Sequence, residues 1–202
     1  PSDTRALYEL AIAYHLLNME VKSIDCLESL LEIDPNNYDA CIMLSKIFYD
    51  REDYPRALSL LDKAINIKPE YLDSYLLMAD CYYQIGNQDK ALELYLNIID
   101  KNPNSVQAYL RVGLIYKRRR DFQKAKHYLT EAANLAPDNA FILNKLGLVY
   151  SYIKEYESAI LVFRHATDLD PRNPEYKYNY AVALSENSEI ETAIHEIQTA
   201  IR

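Results

Sequence analysis

Pro35, Pro69, Pro103, Pro137 and Pro171 stand 34 residues apart, through four successive intervals. A fixed period across most of a 202-residue chain marks a repeat array, so length alone no longer sets the number of domains. Ending each repeat two residues past its proline gives units at 4–37, 38–71, 72–105, 106–139 and 140–173, with a partial sixth at 174–202, in one array over 1–202.

Other columns keep this register. Small residues dominate place 20 (Ser23, Ala57, Ala91, Ala125, Ala159, Ala193) and recur at place 27 (Leu30, Ala64, Ile98, Ala132, Ala166, Ala200), as close approach of two helices requires. Large residues fill place 11 (Tyr14, Phe48, Tyr82, Tyr116, Tyr150, Leu184) and place 24 (Leu27, Leu61, Tyr95, Leu129, Phe163, Ile197). At 100° per residue, places 4, 7, 8 and 11 share one face of a helix A, and places 20, 24 and 27 one face of a helix B. Proline at place 32 removes a backbone donor and disfavours helix for the residue before it, which ends helix B. Asn37, Ser105, Asn139 and Asn173 are placed to cap helix A, with Pro174 at a first helical position; Asp53, Asn87 and Asp121 are placed to cap helix B, with Pro55 in its first turn. Helices of about 12 to 14 residues are marginal alone in water, so neighbouring repeats must bury each other's stripes.

At these columns the sequence resembles the tetratricopeptide repeat (TPR) family, whose motif runs aromatic, Leu, Gly, Tyr, Ala, aromatic, Ala, Pro over 34 residues. The fourth repeat carries Tyr109, Val112, Gly113, Tyr116, Ala125, Leu129, Ala132 and Pro137. Leu7, Cys41 and Leu143 depart from the motif's aromatic, and only Gly113 and Gly147 keep its glycine. The resemblance implies an all-α fold, an α-solenoid in which stacked antiparallel helix pairs curve into a right-handed superhelix. It also implies a concave groove, formed by the A helices, that binds a partner peptide or helix.

Places 2, 5, 9 and 12 lie roughly 120° from the core stripe and face the inside of that curve. Together with Arg118, they supply the groove candidates Tyr8, Ile12, Ile42, Lys46, Tyr49, Leu76, Asp80, Tyr83, Leu110, Leu114, Lys117, Phe141, Asn144, Leu148 and Tyr178. His15, Asp39 and Glu175 fall on the same face, and Tyr49, Tyr83, Leu110, Phe141 and Tyr178 are the expected anchors. Such a face suits an amphipathic helix or an apolar peptide; the competing reading is that these residues pack against neighbouring helices. The Lys and Asn clamp with which some family members hold acidic chaperone tails is absent at the matching places. The asparagine ladder of the family's sugar transferases is reduced to Asn179.

With 22 basic and 30 acidic residues the net charge is -8, which argues against a nucleic-acid partner held by a general basic surface. No apolar run approaches the length of a membrane span, and no secretory leader is visible, so no membrane insertion is expected. Localisation stays open, with the cytoplasm favoured. The fourth repeat alone is strongly positive, with seven basic against three acidic residues. Its Lys117, Arg118, Arg119 and Arg120 either complement the end of helix A or contact a partly acidic partner at the groove edge.

Cys26, Cys41 and Cys81 form no CxxC pair and read as small buried hydrophobes; the four histidines include no HExxH pair, and no metal or cofactor is expected. No nucleophile and base spacing suggests catalysis. The expected function is a non-catalytic protein-binding scaffold, with a recognition arm of a larger enzyme or secretion and assembly apparatus as the alternative. Self-association through an open end lined by Ile194, Ile197 and Ile201 is a further expectation.

Overall fold

The computed structural model describes residues 3–190 and 192–194. Among them are eleven α-helices: α1 (Thr4–Leu16), α2 (Glu20–Ile33), α3 (Tyr38–Asp50), α4 (Tyr54–Ile67), α5 (Leu72–Gln84), α6 (Gln88–Lys101), α7 (Val106–Arg118), α8 (Phe122–Leu135), α9 (Ala140–Tyr152), α10 (Tyr156–Leu169) and α11 (Pro174–Glu186). The odd-numbered helices are the A helices and the even-numbered ones the B helices. Ile197 and Ile201 lie outside the described residues, whereas Ile194 is half exposed. The chain divides into an N-terminal unit, 1–98, and a C-terminal unit, 99–202, each an all-α stack of TPR-type helix pairs.

Local chemistry sets most of the helix ends. The residue before each period proline leaves the helical region: Asp34 has φ -128° and ψ 84°, Ala136 -137° and 70°. Asn37, Ser105, Asn139 and Asn173 each accept a backbone N–H in the first turn of α3, α7, α9 and α11. Asp53, Asn87 and Asp121 do so for α4, α6 and α8. Within each repeat the chain reverses through one left-handed residue at place 15: Asn18, Glu52, Gly86, Arg120, Lys154 and Ser188, with φ between 55° and 85°. The N–H of the next residue bonds back to the carbonyl at place 11, as in Asp53 to Phe48 at 2.8 Å and Asp121 to Tyr116 at 3.0 Å. Five of these six turns force a side chain into a conformation that only glycine adopts freely.

The A and B helices of a repeat cross at place 8 and place 20. Ala11, Ser45, Ala79, Gly113, Gly147 and Ala181 are all buried at the first, and the small residues at the second are buried too. A Cβ on Gly113 would lie 2.6 Å from Leu129 Cγ, and one on Gly147 2.6 Å from Phe163 Cε1. Where place 20 holds Ser23, its hydroxyl donates to the Ala11 carbonyl at 2.8 Å and loses no hydrogen bond by burial.

Beyond α1, each A helix buries more than the stripe expected from spacing. Places 3 and 10 are buried as well: Ala40 and Ile47 on α3, Ser74 and Cys81 on α5, Ile142 and Val149 on α9, Tyr176 and Ala183 on α11. These helices pack on the preceding repeat's B helix in addition to their own. The Tyr38 and Ser74 hydroxyls, one repeat apart, meet at 2.9 Å. Burial pushes the Cys81 thiol up to about 12, with Asp80 adding to the effect, and raises Cys41 as well, so both behave as core residues rather than nucleophiles.

The aromatic at place 11 carries a cation from place 19. Lys22 lies over Tyr14, Arg56 over Phe48, Lys90 over Tyr82 and Lys124 over Tyr116, at 4.2–5.4 Å from the ring centroids. Arg56 and Lys124 also pair with the acidic caps Asp53 and Asp121. The fifth repeat has Ser158 at place 19, and Lys126 of the preceding repeat takes over both contacts. Its Nζ is 2.7 Å from both Glu155 carboxylate oxygens and 5.3 Å from the Tyr150 ring centroid.

Candidate functional site

In the N-terminal unit, equal register on α1 and α3 brings the inward places of two consecutive A helices together. Tyr8 and His15 from α1, with Asp39, Ile42, Met43, Lys46 and Ile47 from α3, line a cavity of about 360 Å³. Ile12 is half-buried on the same face of α1. Burial raises the Tyr8 phenol above its ordinary value, and Asp39 and Glu9 add to the shift, so the hydroxyl stays protonated in a locally acidic setting. Further along, Gln84 donates to the Tyr49 hydroxyl at 3.2 Å, and the Tyr49 ring meets Tyr54 edge-on at 5.7 Å. Leu76 and Tyr83 are half-buried.

In the C-terminal unit, α7, α9 and α11 are neighbours. Leu110, Leu114 and Leu148 are half-buried, while Phe141 and Tyr178 are 43% and 61% exposed. Beside them lies a polar network. The Glu175 carboxylate accepts from Asn144 Nδ2 at 2.8 Å and Lys145 Nζ at 3.1 Å, and Asn179 Nδ2 donates to Asn144 Oδ1 at 2.8 Å. Lys145 also sits over the Phe141 ring at 4.7 Å. The hydrogen bond from Lys145 holds the Glu175 carboxyl below its ordinary value, assisted by Asn144 and Lys117. Half-buried Lys117 is shifted down by desolvation and then by Lys145, with Glu175 opposing. Lys117 is thus half-buried near Lys145 and Glu175, whereas Arg118 is exposed at the end of α7.

Two groove candidates are corrected. Asp80 and Asn144 are buried, at 7% and 0% exposure, and the side chain of each is engaged by a neighbouring residue of the array rather than exposed on the face. Asp80 accepts from the Tyr95 hydroxyl, because a tyrosine at place 24, where other repeats have Leu, Phe or Ile, brings a phenol that must be satisfied inside the repeat. Asn144 is held between Asn179 and Glu175.

Three family models, each described as tetratricopeptide repeat, match residues 4–37, 48–112 and 104–172. The chain belongs to the tetratricopeptide repeat family. No curated protein sequence matches it. Among solved structures it is similar to a tetratricopeptide repeat protein from Parabacteroides merdae, at 16% identity and TM-score 0.80 over 98% of this chain and 78% of that one. It is similar also to MamA from Desulfovibrio magneticus, at 20% identity and TM-score 0.74 over 81% and 93% of the two chains. YrrB, described as a TPR protein with an unusual peptide-binding site, matches at 18% identity and TM-score 0.68 over 86% and 90%.

The TPR fold makes the chain a protein-interaction scaffold. Its register also explains what spacing overlooked. Place 6 follows place 2 by four residues and so shares its face, which adds Met43, Lys145 and Asn179 to the inward set. Extending the stripe by that one place recovers most of the C-terminal network from sequence. Among the described residues no group of three or more His, Cys, Asp or Glu side chains could hold a metal ion, and no helix is long and apolar enough to cross a membrane.

Proposed function

We propose that this TPR chain is a non-catalytic scaffold that holds a segment of a partner protein, a peptide or a helix, against the inner faces of its A helices. The observation that carries this reading is the cavity between α1 and α3, where five residues of the spacing-derived face, Tyr8, His15, Asp39, Ile42 and Lys46, gather around one space. The exposed rings of Phe141 and Tyr178 extend the same chemistry on the second unit. Apolar walls with a few polar groups at the rim suit a segment that presents an apolar side chain and fixes its orientation by hydrogen bonds.

Panning a displayed random peptide library on the wild-type array tests the reading. Selected peptides should lose at least tenfold in affinity on either the Tyr8→Ala/Ile42→Ala or the Tyr83→Ala/Phe141→Ala double variant, since an anchor residue contributes about 1–2 kcal/mol. Unchanged affinity on both variants, with unchanged circular dichroism, would place binding elsewhere.

A further inference from the structure

Resting on the inner-face reading, we infer that the C-terminal unit contains a seat for an Asp or Glu side chain of the partner segment, and that Glu175 is its intramolecular occupant.

The seat has fixed donors and a replaceable acceptor. Asn144 is fully buried and its amide is oriented by Asn179, which aims Nδ2 at the Glu175 carboxylate. The Lys145 side chain is 18% exposed and braced over Phe141, so its ammonium stays in place. The Glu175 side chain, by contrast, is 55% exposed in the first turn of α11. Swinging outward leaves its charge at a helix N-terminus, where a carboxylate is still favoured, which offsets part of the cost of vacating the seat.

Charge favours an incoming acid. Lys145 pairs with Glu175 at 3.1 Å, and desolvation and then Lys145 lower the Lys117 ammonium while Glu175 opposes the shift, so a carboxylate here is favoured by both lysines. Desolvated lysines next to oriented amides bind a carboxylate more strongly than exposed lysines do. Phe141 beneath Lys145 and Tyr178 one turn after Glu175 offer apolar contact on either side. The matching segment therefore carries an acidic side chain next to an aromatic or aliphatic one.

The test uses the whole array and a peptide library displayed with its C terminus fused to the carrier, so that every carboxylate is a side chain. Clones whose binding drops on Phe141→Ala/Tyr178→Ala should be enriched in Asp or Glu. Synthetic peptides from those clones should bind Lys145→Gln about tenfold more weakly and Glu175→Gln about tenfold more tightly than wild type, and replacing the peptide's acid by its amide should abolish both differences. Thermal melts of Glu175→Gln within a few degrees of wild type show that the fold is intact. Face-dependent clones without acidic enrichment, or equal affinity for Glu175→Gln and wild type, overturn the seat and leave the inner-face reading standing. A library with no clone sensitive to any inner-face variant overturns both.

Discussion

On one 34-residue register, the two units build their inner faces from different chemistry. Around the cavity of the N-terminal unit, Asp39 stands near Tyr8, and Ile42, Met43 and Ile47 supply apolar wall. In the C-terminal unit the neighbouring places hold Lys117, Lys145, Asn144 and Asn179 around the single carboxylate of Glu175. The helix crossings differ in parallel. Ala11, Ser45 and Ala79 carry a Cβ into the crossings of the first unit, whereas in the second Gly113 and Gly147 leave that space to Leu129 and Phe163 and only Ala181 carries one. Identical backbone periodicity thus leaves side-chain volume and charge free to vary, because the core columns fix the stack while most residues at places 2, 5, 6, 9 and 12, Asp80 and Asn144 apart, stay out of the core.

The largest difference between the units should appear at the crossings. Gly147→Leu is expected to cost about 3 kcal/mol and Gly113→Leu about 1–3 kcal/mol, since Phe163 is rigid and Leu129 can shift. Ala11→Gly, in the first unit, should cost only about 1 kcal/mol through helix propensity. Denaturant midpoints, with hydrogen exchange to locate the loosened unit, check this; equal losses in both units would erase the distinction.

A smaller effect concerns how cations are supplied. Lys126→Met removes the only cation seen to serve both Glu155 and Tyr150 among the described residues, and should destabilise the fifth repeat by about 1 kcal/mol. Ser158→Lys on that background restores the arrangement of the other repeats and should recover about half of the loss. Recovery by Ser158→Lys to the same extent in wild type, where Lys126 is intact, would show that the two cations do not substitute for one another.

At the turns, Gly86→Ala should cost about 1 kcal/mol for backbone reasons alone, since nothing lies within 4 Å of the added Cβ while φ is 85°. Lys154→Gly at the equivalent place in the second unit should gain about 0.5 kcal/mol, the released strain exceeding the added freedom of the unfolded chain. Thermal melts of the two variants, opposite in sign, sharpen the comparison.

The smallest effect is one of pH. Glu175 has a folded pKa below its ordinary 4.5, so its contribution is present above that value and is lost as pH falls through the folded pKa. The second unit should therefore soften below about pH 4.5, more weakly in high salt. Glu175→Gln should flatten that part of its pH profile, and a profile unchanged by the substitution would remove Glu175 from the account.

Much of this was legible in the residues. The prolines, the caps and the small and large columns led to the helices, because each acts within a few residues of itself or at a fixed place in the period. The proposed inner face was read from a 100° helical step, and His15, Asp39, Ile42 and Lys46 line one cavity. Asp80 and Asn144 were misplaced by the same rule, which assigns a direction from the axis and knows nothing of what stands on the facing helix. Tyr95 opposite Asp80, and Glu175 with Asn179 opposite Asn144, turned two exposed positions into buried ones.

The cation over each place-11 ring was hidden for a related reason. Places 11 and 19 sit on different helices and meet only after the turn at place 15 has closed. Helix limits, repeat length and family belong to sequence, since dihedral preferences, capping and hydrophobic period are local properties of the chain. Which polar groups end up buried, which cation serves which aromatic ring, and whether Glu175 meets Lys145 depend on contacts between residues 8 to 36 places apart, and only the packed stack brings those into hydrogen-bond and van der Waals range.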